Sequence, residues 1–286
     1  MNYTTLVSAE QLQALMDSGA PLMVFDCSFE LTKPAVGDQQ FRDAHIPGAV
    51  RADLNRNLSA QPGADAASGW RHPLPTREAF AAWLGSIGFD NAMQAVVYDR
   101  QGANYCGRLW WMLKWVGHED VAVLDGGLEA WYAGGGVVTS GESAAHQPRH
   151  FMPGPQRAAL ATTQHVADGL GRSSQTIVDA RGAPRYRGEV EPLDPVAGHI
   201  PGALNRPFTG NIGGDGKFKP ARVLRSEMLE LLEGRDPASV VHHCGSGVSA
   251  VPNIIAMELA GLGRQALYAG SWSEWCSDPA RPVERG

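Results

Sequence analysis

"VVHHCGSGVSAVPNIIAMELAGLGRQALYAGSWSEW" (residues 240–275) has an earlier counterpart in the same chain. At a shift of 144 positions, "VVYDRQGANYCGRLWWMLKWVGHEDVAVLDGGLEAW" (residues 96–131) lies over it without a gap. Gly117 then matches Gly261, Gly126 matches Gly270 and Trp131 matches Trp275. Upstream, "FRDAHIPGAV" (41–50) pairs with "VAGHIPGALN" (196–205), and "MVFDCS" (23–28) with "TIVDAR" (176–181). Separate landmarks recurring in the same order identify two copies of one domain.

Each copy alternates short β-rich runs with helical patterns. In the first, "LMVFD" is followed by HIPGA, a helix near "TREAFAAWLGSIG", the strand "AVVYD", a loop, an apolar helix ending at glycine, and "VAVLD". Such alternation predicts an α/β fold of two tandem domains, each a mainly parallel sheet with helices on both faces. The stretch 134–156 is rich in Gly, Pro and Ser and reads as a connection. The expected division is a first domain over 1–140, a linker over 141–158 with the boundary near 150, and a second domain over 159–286.

With 43% hydrophobic and 19% charged residues and a net charge of -6, the chain of 286 residues reads as an ordinary globular protein. It lacks the basic footprint of a nucleic-acid or anionic-membrane binder. The amino terminus has no secretory pattern and no segment is apolar for the roughly 18 residues a membrane helix needs, so a cytoplasmic home is expected. The four cysteines are widely spread, with no CxxC pair and no zinc spacing. Each thiol is therefore packing or chemistry, and Cys27, Cys106 and Cys276 are expected to pack.

Cys244 differs in its setting. It falls between an apolar strand and an apolar helix, where ligands collect in parallel sheets. Gly245 and Gly247 let consecutive N–H groups turn inward as an anion cradle at the positive end of the helix. That helix is expected to be capped by Ser249, with Pro252 in its first turn and Val251, Ile255 and Leu259 as one buried stripe. A free thiol has a pKa of about 8.5, and a helix amino terminus or a cationic neighbour brings it lower, which makes a nucleophile. The first copy has Arg100 at the matching position, and an arginine cannot be one. A cysteine phosphatase would need C-x5-R, with the arginine clamping phosphate oxygens. The residue six after Cys244 is Ala250, so a smaller electrophile is expected.

Two tandem copies, HIPGA in each, the loop "CGSGVSA" and the stretch "GSWSEW" resemble the tandem-domain rhodanese superfamily, of the 3-mercaptopyruvate sulfurtransferase type. The resemblance covers roughly residues 20–280, and the Gly245-Ser246-Gly247-Val248 loop is its most specific element. It implies a double displacement, with Cys244 taking sulfur from 3-mercaptopyruvate as a persulfide and passing it to a thiol, thioredoxin or cyanide, and no cofactor or metal. Thiosulfate as donor is the close alternative. A non-catalytic persulfide carrier or regulatory protein is the alternative of another class. A monomer is the simpler expectation for two fused copies.

The resemblance also implies site residues. Ser246 and His72, in "WRHPLP", match a Ser-His-Asp relay for protons. The relay's carboxylate position holds Asn55, with Asp53 two residues before it, so either Asp53 substitutes or the relay is weaker. Arg185 matches an arginine that binds the substrate carboxylate, as Gly245, Gly247 and Val248 match the substrate loop. The family's second arginine is absent near Leu193 and Asp194, leaving Arg181 or Arg187 to compensate. His45 and His199 are expected to fix turns. His242 and His243 are expected to pack or meet solvent, and Trp110, Trp111 and Trp115 to pack.

Overall fold

Apolar runs rich in β-branched residues become the two sheets. In the computed structural model, which describes residues 2–143 and 145–286, the first copy supplies β1 (Leu6–Val7), β2 (Leu22–Asp26), β3 (Val50–Arg51), β4 (Gln94–Tyr98) and β5 (Val121–Leu124). They pair in the order β1-β5-β4-β2-β3. The second copy supplies β6 (Leu160–Ala161), β7 (Thr176–Asp179), β8 (Leu204–Asn205), β9 (Val240–His243) and β10 (Ala266–Tyr268), in the order β6-β10-β9-β7-β8. All pairings are parallel, and the two orders agree position by position. The central strands β4 and β9 are buried along their whole length, as parallel strands covered on both faces must be.

Helices α1 (Ala9–Asp17), α2 (Ala35–Asp43), α3 (Arg77–Ser86), α4 (Cys106–Trp115) and α5 (Gly127–Ala133) connect the first set. The second has α6 (Thr163–Asp168), α7 (Ala183–Tyr186), α8 (Ala221–Leu232), α9 (Val251–Leu259) and α10 (Ser271–Trp275). Side chains start several of them: Ser8 and Gln11 form a reciprocal capping box on α1, Thr76 caps α3 and Thr162 caps α6. Equivalent residues fill equivalent cores. Ile46, Val96 and Trp131 are buried in the first copy, and Ile200 and Trp275 in the second.

The HIPGA histidines do fix turns. His45 Nδ1 lies 2.7 Å from Phe41 O, and His199 Nδ1 2.8 Å from Tyr186 O. Each ring stacks on the same residue's aromatic ring at 3.9 Å. Trp110, Trp111 and Trp115 are buried in α4 as expected.

The chain divides into two units that do not follow it linearly. One comprises Met1–Asp65, Pro75–Arg157 and Gly214–Phe218; the other comprises Ala66–Leu74, Ala158–Gly213 and Lys219–Gly286. The stretch expected as a linker packs with the first unit, where Arg149 N–H donates to Gly85 O at 2.8 Å and Gly154 N–H to Val116 O at 2.7 Å. Phe218 is held in that unit by the Asp125 carboxylate at 2.9 Å. In the second unit, the Gly69 N–H donates to Glu274 Oε2 at 3.1 Å. The segment carrying His72 is therefore part of the carboxy-terminal unit, although it precedes β4 in sequence.

The start of α9 corrects two expectations. Ala250, in a helical conformation, occupies the cap position and no side chain caps the helix. The chain is already turning there, with Val251 N–H bonded to Val248 O at 3.1 Å and Asn253 N–H to Ala250 O at 3.2 Å, so Ser249 has no cap to make. Burial also departs from one stripe: every residue from 251 to 257 is buried, while Leu259, expected in the stripe, is only partly buried. Among the described residues, no helix is long and apolar enough to cross a membrane.

Candidate active site

Cys244 leaves the carboxyl end of β9, the middle strand of its sheet, and α10 grips the loop from the other side. The Cys244 N–H donates to Ser271 Oγ at 3.1 Å, while the carbonyls of Cys244 and Gly245 accept from Trp272 N–H and Ser273 N–H at 3.0 Å each. Ser271 holds a left-handed φ of 55°, which a residue with a Cβ rarely adopts, and its hydroxyl also donates to Tyr268 O at 2.9 Å. This is the function of the "SWSEW" stretch that composition alone does not show.

The two loop glycines differ. Gly247 has φ 72°, and a Cβ there would lie 2.4 Å from the backbone oxygen of Ala269, so no other residue fits. At Gly245 a Cβ would meet the ends of two flexible side chains, Arg71 Nη2 at 2.7 Å and Arg185 Nη1 at 3.5 Å. Two guanidinium groups thus border the residue next to the cysteine.

Cys244 is 2% exposed, and the Val248 N–H points at Sγ from 3.3 Å. That donor comes from the turn that leads into α9. Ser246 and His72 are both buried, and His72 Nδ1 lies 2.7 Å from Ser246 Oγ. Their hydrogen bond joins the loop to the segment Ala66–Leu74 inside one unit. The structure therefore brings together Cys244, Gly245, Ser246, Gly247, Val248, His72 and Arg185.

Asp53 belongs to the amino-terminal unit, where its carboxylate has local work. Oδ1 accepts from the N–H groups of Asn55 and Arg56 at 2.9 Å each, and Oδ2 lies 3.2 Å from Arg51 Nη2. Asn55 contributes its backbone to this turn.

Neither arginine expected to compensate is placed to do so. Arg181 is buried against Asp179, Glu191 and Gly198 O. Arg187 pairs with Glu189, and both are exposed. The residue that stands beside Arg185 is Arg71, and Asp194 lies between them. Burial pushes the Asp194 carboxyl up, against the pull of Arg71. The only sequence signal for Arg71 was its place directly before His72.

Behind the loop, burial works against the Asp179 carboxylate, but the His243 ring and the Arg181 fork hold it below the usual carboxylate range. His242 and His243 are fully buried, so the solvent contact considered for them does not occur. Burial pushes the Cys27 and Cys106 thiols well above their ordinary value, and the Cys276 thiol up as well, as suits packing groups. Among the described residues no cluster of three His, Cys, Asp or Glu is placed to hold a metal ion.

The model of the rhodanese-like domain matches residues 8–134 and 162–278. The chain is 45% identical to a Pseudomonas aeruginosa protein named "Probable 3-mercaptopyruvate sulfurtransferase", over 100% of both chains. It is 33% identical to the 3-mercaptopyruvate sulfurtransferase of Rattus norvegicus over 99% of this chain and 96% of that one. Identity to the thiosulfate sulfurtransferase of Bos taurus is also 33%, over 96% and 92%. The solved 3-mercaptopyruvate sulfurtransferase of Leishmania major superimposes with a TM-score of 0.81 at 31% identity, covering 96% of this chain and 74% of that one.

Proposed function

The chain belongs to the rhodanese family and is a sulfurtransferase, and from that premise we propose that it takes sulfur from 3-mercaptopyruvate onto Cys244 and passes it to a thiol. The observation that carries this reading is the cysteine loop itself, with a backbone donor 3.3 Å from Sγ and a Ser246–His72 hydrogen bond two residues on.

In the first half-reaction the Cys244 thiolate attacks the donor's sulfur and the sulfur–carbon bond breaks. The bonding electrons stay on carbon as the enolate of pyruvate. Ser246 and His72 deliver the proton that completes pyruvate, a general-acid task that an imidazole can perform. Arg185 holds the donor's carboxylate with a planar fork of donors. A persulfide on Cys244 remains, its outer sulfur about 2 Å farther from the loop than Sγ. In the second half-reaction an acceptor thiolate, from a small thiol or thioredoxin, or a cyanide ion attacks that outer sulfur and restores the Cys244 thiolate. Splitting the transfer in two is covalent catalysis by an activated nucleophile.

Thiosulfate is the second reading for the donor, favoured by the bovine relative. Against it, the loop after Cys244 is uncharged Gly-Ser-Gly. Steady-state sulfur transfer from the two donors side by side, with Cys244→Ser as the blank, separates them. A larger kcat/KM for 3-mercaptopyruvate is expected, and a thiosulfate value equal or higher would replace the first reading with the second.

A further inference from the structure

We propose that Arg71 is a second carboxylate-binding residue of this site and that Asp194 holds the place the donor's carboxylate takes. The proposal rests on the 3-mercaptopyruvate reading above and adds to it the group that recognises the acid. Arg71 directly precedes His72 on a segment fixed to its unit by the Gly69–Glu274 bond and by Ala67 N–H donating to Leu74 O at 2.8 Å. That segment carries the guanidinium to Gly245, where Arg185 arrives from α7.

The two forks meet on one carboxylate. Arg71 Nη1 and Nη2 lie 3.2 Å from Asp194 Oδ1 and Oδ2, and Arg185 Nη2 lies 3.2 Å from Asp194 Oδ2. Charge-assisted bonds of this kind ordinarily run about 2.7–2.9 Å. Arg185 reaches that range with Glu191, at 2.7 and 2.8 Å, so Glu191 is the firmly held partner and Asp194 the loosely held one. The buried Arg71 Nε has no hydrogen-bond partner. Burial raises the Asp194 carboxyl, which marks its ionised form as poorly accommodated. The Arg71 and Arg185 side chains are about one-fifth exposed, at 22% and 21%, so the site is not sealed from solvent.

Exchange of one carboxylate for another leaves the charge of the pair unchanged: the donor's carboxylate takes the two forks and the Asp194 side chain turns outward. A three-carbon 2-oxo acid, whose carboxylate is separated from the sulfur-bearing carbon by a single carbonyl, spans from these forks beside Gly245 toward Cys244. A neutral donor, with no anionic group, gains nothing from the forks.

The test compares 3-mercaptopyruvate with 1-mercaptopropan-2-one, the same donor without its carboxylate. In Arg71→Gln, kcat/KM for the acid is expected to fall about 10- to 100-fold more than for the ketone, mainly through KM, with Arg71→Lys in between. Equal losses on both donors would show a structural role only and overturn the assignment. Asp194→Asn is expected to lower KM for the acid, by about threefold or more, because the competing charge is gone. A raised KM in that variant would mean that Asp194 merely orients Arg71. Pyruvate binding by calorimetry needs no turnover, and so separates this proposal from the donor reading. Weakening by about tenfold or more in Arg71→Gln supports the clamp even if wild-type enzyme turns over another donor, and unchanged binding overturns it.

Discussion

The loops after β4 and β9 leave the same position in equivalent sheets, yet one is filled by its own carboxylate and the other carries the cysteine. In the first, the Asp99 carboxylate takes the loop's own donors: Gln101 and Ala103 N–H at 2.9 and 3.1 Å, and Tyr105 and Cys106 N–H at 2.8 and 2.9 Å. Arg100, at the position of Cys244, turns back to the buried Asp26 at 3.1 Å and to Ser28. In the second, His243 stands where Asp99 does and brings no carboxylate. Asp179, the counterpart of Asp26, is neutralised instead by Arg181, with a shortest contact of 2.6 Å, and Arg181 takes the place of Ser28. Its guanidinium also lies 4.7 Å from the Trp272 ring. The counter-charge has moved from the loop to the end of the strand, and position 244 is free to be a thiol.

The comparison can be broken first at the thiol. Cys244→Ser is expected to reduce sulfur transfer by about a thousandfold or more, since it removes the nucleophile and leaves only binding. Adding Arg100→Cys to that variant is expected to restore nothing, because Asp99 keeps the donors of the first loop occupied; measurable turnover in the double variant would contradict the role given to Asp99.

Arg100→Met tests the relocated charge. It leaves the buried Asp26 without its ion-pair partner, at a cost of about 3–5 kcal/mol in urea unfolding. Ser28→Arg in the same chain, which copies the second unit's arrangement, is expected to recover part of that loss. A strictly additive double variant would show that Arg181 is not the functional counterpart of Arg100.

The glycines come next. Gly247→Ala is expected to cost about 2–3 kcal/mol, because it combines a left-handed backbone with a backbone collision. Gly245→Ala meets only arginine ends, so its stability loss should stay below about 1 kcal/mol while KM for the donor rises. Similar losses of stability at the two positions would undo the distinction.

The last effect lies in the strand and shows only in acid. Where β4 has Tyr98, β9 has His242, whose pKa burial drives down to about 3 from an ordinary 6.5. The unfolded chain binds that proton and the folded chain does not. Stability is therefore fully present above pH 6.5 and is lost as pH falls toward the folded value, by about 2 kcal/mol at pH 5. In His242→Leu, urea unfolding at pH 7 and pH 5 should show that much less acid sensitivity, and an unchanged difference would contradict it.

The fold was legible because its signals are local or repeat. The 144-residue shift aligned β4 with β9 and α4 with α9, and the HIPGA histidines marked equivalent turns. Cys244, Ser246 and Gly247 were legible for the same reason, since a strand, a glycine-rich turn and a helix follow one another in sequence. Arg71 was not, because its partner Asp194 lies 123 residues away and the segment carrying it packs outside the linear division of the chain. Ser271 escaped because nothing in "GSWSEW" announces a left-handed serine, and the cap assigned to Ser249 was mistaken because the loop enters α9 already turning.

The most direct test of the division between the two loops is mass analysis of the whole chain after brief exposure to 3-mercaptopyruvate, followed by peptide mapping. One added sulfur atom, on Cys244 alone and discharged by a thiol, is the expected result. Sulfur on Cys27, Cys106 or Cys276 in place of Cys244, or none on any cysteine while turnover proceeds, would contradict the account.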